Sequence, residues 1–136
     1  MVDKICCLVY SIINDELKFL ILHKNNWWNG WEFVRGEIKK EEQAFQAAIR
    51  EANEETGLNL EKVWPIPFKY SYEYLKGLNL INSNVFCFAA KAYDSIVNLS
   101  KEHDHYKWVD YDSALKLLDF EEQKNFLKFF HDSVKN

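Results

Sequence analysis

Hydrophobic and polar positions divide the chain into strands and helices. Residues 5–13 and 17–23 are two β-rich apolar runs, and the polar segment 14–16 between them has the composition of a turn. This pattern predicts a β-hairpin at the start of the chain. Further β-rich runs predict strands at residues 60–64, 68–74, 85–93 and 106–109.

An aromatic and polar segment follows the predicted hairpin. Residues 27–31, with the sequence Trp-Trp-Asn-Gly-Trp, predict a loop, and residues 32–35 connect it to the next segment. Trp27 and Trp28 are interpreted as aromatic residues that support the fold. A role as platforms for a nucleobase is the less favoured alternative.

Three segments have helical patterns. Residues 41–55 contain neither Gly nor Pro and are rich in good helix formers, and Gly57 supplies a stop signal. An apolar stripe recurs in this segment at three- and four-residue steps, formed by Phe45, Ala48, Ile49 and Ala52. Residues 110–118 and 121–134 predict two closing helices. In sequence order, predicted strands precede and follow the first helix, and two helices close the chain. This order indicates a mixed α/β domain.

Composition and charge limit the classes of protein that fit. The length of 136 residues fits a single domain spanning residues 1–136. The net charge of -4 makes no overall case for nucleic-acid binding, which usually requires a basic surface. The cysteines, Cys6, Cys7 and Cys87, are odd in number and argue against a disulfide framework. Because a signal-peptide pattern and a membrane-length apolar run are both missing, we expect a cytoplasmic protein without a membrane partner. The sequence leaves open whether it is a monomer or a small homo-oligomer.

Three glutamates of the first predicted helix form a compact acidic group. Glu51, Glu54 and Glu55 stand at positions i, i+3 and i+4, which lie on one face of a helix. Each like-charge pair at this spacing costs roughly 0.2–0.5 kcal/mol even when exposed, so the group favours a bound cation. Mg2+ or Mn2+ fits better than zinc, because no Cys/His cluster accompanies the glutamates. Arg50, four residues before Glu54, can restrain part of the group.

Residues 36–58 set these glutamates within a longer fixed pattern, G-x5-E-x7-R-E-U-x-E-E-x-G-U, where U is aliphatic. The fixed positions are met by Gly36, Glu42, Arg50, Glu51, Ala52, Glu54, Glu55, Gly57 and Leu58. The alternative is a solvated acidic face on a surface helix. Seven of the nine fixed positions require a single residue type, and the other two require an aliphatic residue. Seven residues, each near a roughly 7% background usage, coincide by chance on the order of once in 10^8 positions, which disfavours that alternative. The segment resembles the Nudix box.

The resemblance to Nudix hydrolases implies an α/β/α sandwich with a mixed β-sheet, in which the box forms a loop, a helix and a second loop. It also implies Mg2+-dependent hydrolysis of a phosphoanhydride bond, with Mn2+ as the alternative cation. By this resemblance the metal ligands are Glu51, Glu54, Glu55 and the Gly36 backbone carbonyl, with Glu55 as the first candidate. Arg50, Glu54 and Glu55 are also candidate catalytic residues.

Two flanking segments bear on the substrate. Residues 31–36 resemble W-x-F-P-K-G, which is common in hydrolases of dinucleoside polyphosphates and of RNA 5′ ends. Arg35 replaces the lysine, keeps the positive charge and can bind a phosphate bidentately. Residues 102–108 resemble the E-H-x-x-Y-x-W segment of asymmetric diadenosine-tetraphosphate hydrolases. Together they favour cleavage of diadenosine tetraphosphate to ATP and AMP. The alternatives are an RNA 5′-end pyrophosphohydrolase, a pyrophosphatase of NTPs or ADP-sugars, and a catalytically inactive nucleotide-binding module.

The second flank supplies further candidate residues. By the resemblance, Glu102 is a metal ligand or the general base for the attacking water, and the alternative is a surface glutamate in a loop. His103 is a candidate phosphate contact at a strand edge or in a loop, whereas metal ligation by His103 and His105 around Asp104 is disfavoured. Tyr106 can stack on a base or be a half-buried strand residue, and the sequence leaves these two roles open.

Lys39 is a candidate phosphate-binding residue and also a departure from the family pattern. Many Nudix proteins carry an acidic residue at this point of the loop, where a carboxylate can help to hold metal. Glu37 or Glu41 would have to substitute for it in this chain. The sequence therefore leaves the number of metal ions open.

Overall fold

The computed structural model describes residues 2–26 and 28–134, so the role predicted for Trp27 lies outside the described residues. The strands are β1 (Val2–Ile13), β2 (Glu16–Asn25), β3 (Asn29–Glu32), β4 (Val34–Glu37), β5 (Trp64–Lys76), β6 (Asn79–Lys91) and β7 (His103–Val109). The helices are α1 (Ala44–Thr56), α2 (Tyr111–Leu117) and α3 (Glu121–Val134).

These strands form one mixed sheet with the path β3-β2-β1-β6-β5. β1 and β6 are parallel, and the other neighbouring strands are antiparallel. Next to the hairpin turn, residues 10–13 of β1 pair with residues 16–19 of β2. Farther from the turn, β1 pairs with β4, whereas β2 pairs with β7 and β3. The two halves of the sheet therefore separate beyond the hairpin.

Alternating side chains of the central strands bury two cores. One core packs against α1 and includes Ile5, Cys7, Val9, Leu20, Leu22, Ala47, Ala48 and Ala52. The other packs against α2 and α3 and includes Cys6, Leu8, Phe19, Ile21, Phe33, Ala114, Phe126, Leu127 and Phe130. Successive residues of a strand point to opposite faces, so each central strand supplies both cores. Helices therefore cover both faces of the sheet, which confirms the predicted mixed α/β domain and the α/β/α architecture implied by the resemblance to Nudix hydrolases.

The first helix begins three residues later than predicted. α1 starts at Ala44, and the backbone N–H of Gln43 donates to the side chain of Gln46 in a capping box. The predicted start at residue 41 is wrong because Glu41 has a φ of 74°, which a right-handed helix does not accommodate. At the other end Gly57 adopts a φ of 67° and closes the helix, as predicted.

The buried stripe of α1 differs in part from the predicted one. Ala48 and Ala52 are fully buried as expected, and Ala47 joins them. Phe45 is exposed and Ile49 is only partly buried. Small alanines thus form the contact surface, which lets the helix approach the sheet closely.

The strand predicted at residues 60–64 is wrong except for its last residue, because β5 begins at Trp64. The side chain of Asn53 on α1 replaces a strand partner here. Its Nδ2 donates to the Leu60 carbonyl at 2.9 Å, and its Oδ1 accepts from the Leu60 N–H at 2.6 Å. Since one amide side chain satisfies both backbone groups, the segment needs no neighbouring strand.

Most other predicted elements are present with shifted ends. The hairpin is confirmed, and both turn residues, Asn14 and Asp15, have positive φ. The predicted strands at 68–74, 85–93 and 106–109 fall largely within β5, β6 and β7. The predicted closing helices correspond to α2 and α3. The predicted aromatic loop is wrong in part, because Asn29–Glu32 pairs with β2 as β3.

Candidate active site

An open cleft of about 430 Å³ lies where the two halves of the sheet separate beside α1. It is lined by Lys4, Lys24, Glu32, Arg35, Gly36, Glu37, Lys39, Glu51 and Glu102. Four of these side chains are cationic and four are acidic. Lysine and arginine suit the phosphates of an anionic chain, and clustered carboxylates suit a hard divalent cation. The cleft therefore offers both partners that a metal–polyphosphate complex requires.

β4 passes very close to α1 at Gly36. A Cβ atom at this position would overlap the carboxyl group of Glu51. A side chain at this position would displace the Glu51 carboxyl group, whereas glycine leaves room for it. The structure thus brings together two residues that the sequence analysis named as metal ligands.

The three glutamates of α1 differ in burial. Glu55 is 2% exposed, and the side chain of Glu51 is largely buried. The side chain of Glu54 is 56% exposed and lies 3.4 Å from Arg50 Nη1. The predicted acidic face therefore runs from the protein interior to solvent, and Glu55 is its innermost member.

Glu55 is a buried carboxylate in an acidic neighbourhood. Neither of its oxygens has a hydrogen-bond partner among the residues that the structure describes. Burial raises the pKa of Glu55 well above its usual range, and the neighbouring Glu51 raises it further. Glu55, Glu102 and His103 each place one potential metal-ligating atom in a group in which all three atoms lie within 4.8 Å of one another. Because a buried charge is costly unless it is paired, the site is complete only with a cation or a proton.

Buried contacts through His103 and Glu32 link Glu55 to the cationic wall of the cleft. The Nε2 atom of His103 lies 2.8 Å from Glu32 Oε2, and its Nδ1 lies 3.8 Å from Glu55 Oε1. The other oxygen of Glu32 lies 2.7 Å from Arg35 Nε. Burial alone would raise the pKa of Glu32, but the hydrogen bond to His103 and the charge of Arg35 outweigh it, and the pKa is lowered. Glu32 thus holds a cationic residue of the cleft on one side and an imidazole on the other.

Sequence reasoning missed Glu32 and Phe120. Glu32 is 1% exposed, and its position between Trp31 and Phe33 in the sequence was the one available signal. The ring of Phe120 lies 4.9 Å from the Arg35 guanidinium and stacks on Trp28 at 4.8 Å. The interpretation of Trp28 as an aromatic that supports the fold agrees with this stacking. Phe120 and Glu32 together fix the position of Arg35.

Arg50 joins the loop before α1 to the helix. Its Nε and Nη1 lie 2.7 Å from Glu42 and 2.6 Å from Glu51, and its Nη2 donates to the Glu37 carbonyl at 3.0 Å. The hydrogen bonds from Arg50 lower the pKa of Glu42 to about 2. The contact with Glu54 that the helical spacing predicted is present but longer. This geometry makes Arg50 a positioning residue for the loop and for Glu51.

The remaining predicted residues divide between the cleft and its surroundings. Lys39, Glu37 and Glu102 line the cleft. Glu41 is exposed outside it, so Glu37 is the better placed substitute for the family's acidic loop residue. Tyr106 is an exposed residue of β7, also outside the cleft lining.

His103 does not present its side chain as the sequence analysis expected. Its side chain is 1% exposed and lies between Glu32 and Glu55. A residue in that position contacts the carboxylates of the site, whereas the expected phosphate contact would require an open side chain. The structure therefore favours a positioning role for His103.

None of the helices within residues 2–26 and 28–134 is long and apolar enough to cross a membrane.

The chain is similar to known proteins over most of its length. The family model of the NUDIX domain matches residues 4–130. The asymmetrical bis(5'-nucleosyl)-tetraphosphatase of Sus scrofa is 29% identical over 125 residues, which cover 91% of this chain and 85% of that protein. The enzyme of the same description from Caenorhabditis elegans is 25% identical over 123 residues, covering 90% and 89%.

Solved structures share the fold over nearly the whole chain. A binary complex of C. elegans Ap4A hydrolase has a TM-score of 0.79 at 24% identity and covers 99% of this chain and 98% of its own. The NUDIX domain of Shewanella oneidensis NrtR, complexed with ADP ribose, has a TM-score of 0.80 at 12% identity, with coverage of 98% and 88%. At these identities the likeness establishes the architecture.

Proposed function

The chain belongs to the Nudix family, and we propose that it cleaves dinucleoside tetraphosphates asymmetrically, converting diadenosine tetraphosphate to ATP and AMP with Mg2+. As a Nudix hydrolase it is an enzyme that acts on phosphoanhydride bonds. The narrower substrate rests on relatives described as asymmetrical bis(5'-nucleosyl)-tetraphosphatases, which align with about nine-tenths of the chain. The observation that carries the proposal is the buried carboxylate of Glu55, which has a donor atom within 4.8 Å of one from Glu102, a residue that lines a cleft with cationic walls.

The residues present fit a divalent cation. Both oxygens of Glu55 are buried without a partner within residues 2–26 and 28–134, and Glu51 and Glu102 bring further carboxylates to the same cleft. Oxygen ligands of this kind suit Mg2+. We assign the cation to Glu51, Glu54, Glu55 and the Gly36 carbonyl, with Glu102 as an additional ligand or the general base. A cation held there would neutralise charge on the polyphosphate and activate it toward water.

The cationic wall positions the phosphate chain. Arg35 is fixed by Glu32 and Phe120, so its planar guanidinium is oriented before substrate arrives. Lys4, Lys24 and Lys39 add positive charge around the same cleft. A four-phosphate chain carries enough negative charge to engage several of these residues at once. This complementarity is the reason to prefer a polyphosphate substrate.

Glu102 is the candidate proton acceptor. Its carboxylate lines the open cleft, and its donor atom lies within 4.8 Å of those of Glu55 and His103. Unlike Glu55, it is exposed, so it can exchange a proton with bulk water after each turnover. The role of general base requires a carboxylate within reach of the attacking water.

The proposal is tested by resolving the products of diadenosine tetraphosphate and, separately, of 5′-triphosphorylated RNA after incubation with Mg2+. We expect ATP and AMP in equal amounts from the dinucleotide. ADP as the sole product would show symmetric cleavage and contradict the proposal. Release of pyrophosphate or phosphate from the RNA, with the dinucleotide left intact, would assign the alternative function.

A further inference from the structure

Two histidines and an aspartate form a second cluster outside the cleft. His23 lies on β2, and Asp104 and His105 lie on β7. The Nδ1 atom of His23 is 2.8 Å from Asp104 Oδ1, and the Nδ1 atom of His105 is 3.2 Å from the same oxygen. One donor atom from each residue lies within 4.8 Å of the others. The chain thus brings together three metal-ligating side chains that have no part in the proposed hydrolysis.

An irregular strand pairing creates this cluster. His23 pairs with His105, but the next residue of β2, Lys24, pairs with His103. Asp104 is therefore an additional residue in β7, at a β-bulge. In a regular strand, Asp104 and His105 would point to opposite faces of the sheet. The bulge redirects one of them, so both side chains meet His23 on the same side.

The cluster is partly ordered and remains accessible. The ring of His23 packs edge-on against Trp31, with 4.9 Å between the ring centroids, which restricts its rotation. The side chain of His105 is 73% exposed, so a cation can reach the cluster from solvent. Three ligands from two adjacent strands also leave coordination positions open for water.

We propose that His23, Asp104 and His105 bind a borderline divalent cation such as Zn2+, Co2+ or Ni2+. Two imidazoles and one carboxylate select these ions over Mg2+, which prefers oxygen ligands alone. The site shares no residue with the proposed Mg2+ site around Glu55. The two sites can therefore be distinguished by the class of metal that each one takes.

The test is a calorimetric titration of the untagged protein with Zn2+ in excess Mg2+, which occupies the oxygen-rich site. We expect one Zn2+ to bind the parent, and we expect His23→Gln and His105→Gln each to weaken binding by about tenfold or more, since each removes a ligand. His131→Gln is the matched control. That histidine lies on α3, stacked on Tyr111 with 3.7 Å between the ring centroids, and its loss should leave Zn2+ affinity unchanged.

A second readout excludes an effect of misfolding or of the Mg2+ site. Co2+ bound to the parent should give visible d–d absorption that is lost in the double variant His23→Gln/His105→Gln and retained in Glu55→Gln. Circular dichroism should show the parent fold in each variant. Equal Zn2+ affinity in the parent and the double variant, or no Zn2+ binding to the parent in excess Mg2+, would overturn the proposal.

Discussion

The two faces of the sheet each bury a polar helix residue, and the two residues have opposite surroundings. On the α3 face, Gln123 is 1% exposed and its Oε1 accepts a hydrogen bond from the Phe33 N–H at 2.8 Å. On the α1 face, Glu55 is as deeply buried, yet its oxygens have no hydrogen-bond partner in the described part of the chain. Buried polar groups are nearly always satisfied in folded proteins. The contrast marks the α3 face as structural and the α1 face as the place where a ligand completes the structure.

The largest expected effect is on the α3 face and concerns folding. Phe126 is fully buried, stacks on Phe68 with 5.7 Å between centroids and contacts Phe33 edge-on at 6.2 Å. We expect Phe126→Ala to lower the free energy of unfolding by about 3–5 kcal/mol, measured by denaturant titration. The exposed Phe45 on α1 is the matched control, and Phe45→Ala should cost about 1 kcal/mol or less. Equal losses in the two variants would contradict the assignment of the structural core.

The next effect is on the α1 face and concerns catalysis. Glu55→Gln keeps the size of the side chain and removes its charge, so kcat/KM for diadenosine tetraphosphate should fall by about 100-fold or more, equivalent to ~3 kcal/mol. Glu61→Gln, the same change at an exposed glutamate outside the cleft, should retain the activity of the parent. Turnover of Glu55→Gln within about threefold of the parent at saturating Mg2+ would remove Glu55 from the site.

A smaller loss of stability should follow from breaking the satisfied polar contact. Gln123→Ala leaves the Phe33 N–H buried without its acceptor, which costs about 1–3 kcal/mol. Lys128→Ala on the exposed side of the same helix should change stability by no more than about 0.5 kcal/mol. Activity per folded molecule should stay unchanged in both variants. A loss of kcat in folded Gln123→Ala would show that the two faces are coupled.

The smallest predicted effect concerns the orientation of Arg35. Glu32→Gln removes the charge that holds the guanidinium, and we expect kcat/KM to fall about tenfold, which is ~1.4 kcal/mol. The measurement is a double-mutant cycle with Arg35→Ala. If Glu32 acts through Arg35, the two effects should fall short of additivity. Fully additive effects would mean that Glu32 acts independently, through His103.

Local signals in the sequence predicted the part of the site that lies on α1. The composition of residues 41–55 and the stop at Gly57 predicted the helix, and the spacing of Glu51, Glu54 and Glu55 predicted that their carboxylates share one face, because helical geometry places residues three and four apart together. The position of Gly36 beside them was implied only by the resemblance to the Nudix box. The helix start was wrong because a positive φ at Glu41 is set by the folded loop. The false strand at residues 60–64 arose similarly, since Asn53 supplies the hydrogen bonds that a strand partner would have given.

Contacts between distant parts of the chain could not be predicted in the same way. Glu32 and His103 are 71 residues apart, and His23 and Asp104 are 81 residues apart. Each pairing depends on the register of β2 with β3 and β7, and on a bulge that shifts this register by one residue. Side-chain periodicity within one strand shows which residues face the core, but it does not identify the distant strand that pairs with it. The burial of His103 and the role of Glu32 therefore emerged only from the fold.

The most direct test of the account is the Mg2+ dependence of the free energy of unfolding in the parent and in Glu55→Gln. Mg2+ at about 100 times its dissociation constant should stabilise the parent by about 2.7 kcal/mol. Without Mg2+ at neutral pH, Glu55→Gln should be at least as stable as the parent, because it lacks a buried carboxyl group whose raised pKa opposes folding at that pH. It should also gain markedly less from added Mg2+. Two results together would contradict the central claim that Glu55 is a cation ligand: Glu55→Gln is less stable than the parent without Mg2+, and added Mg2+ raises the free energy of unfolding of both proteins equally.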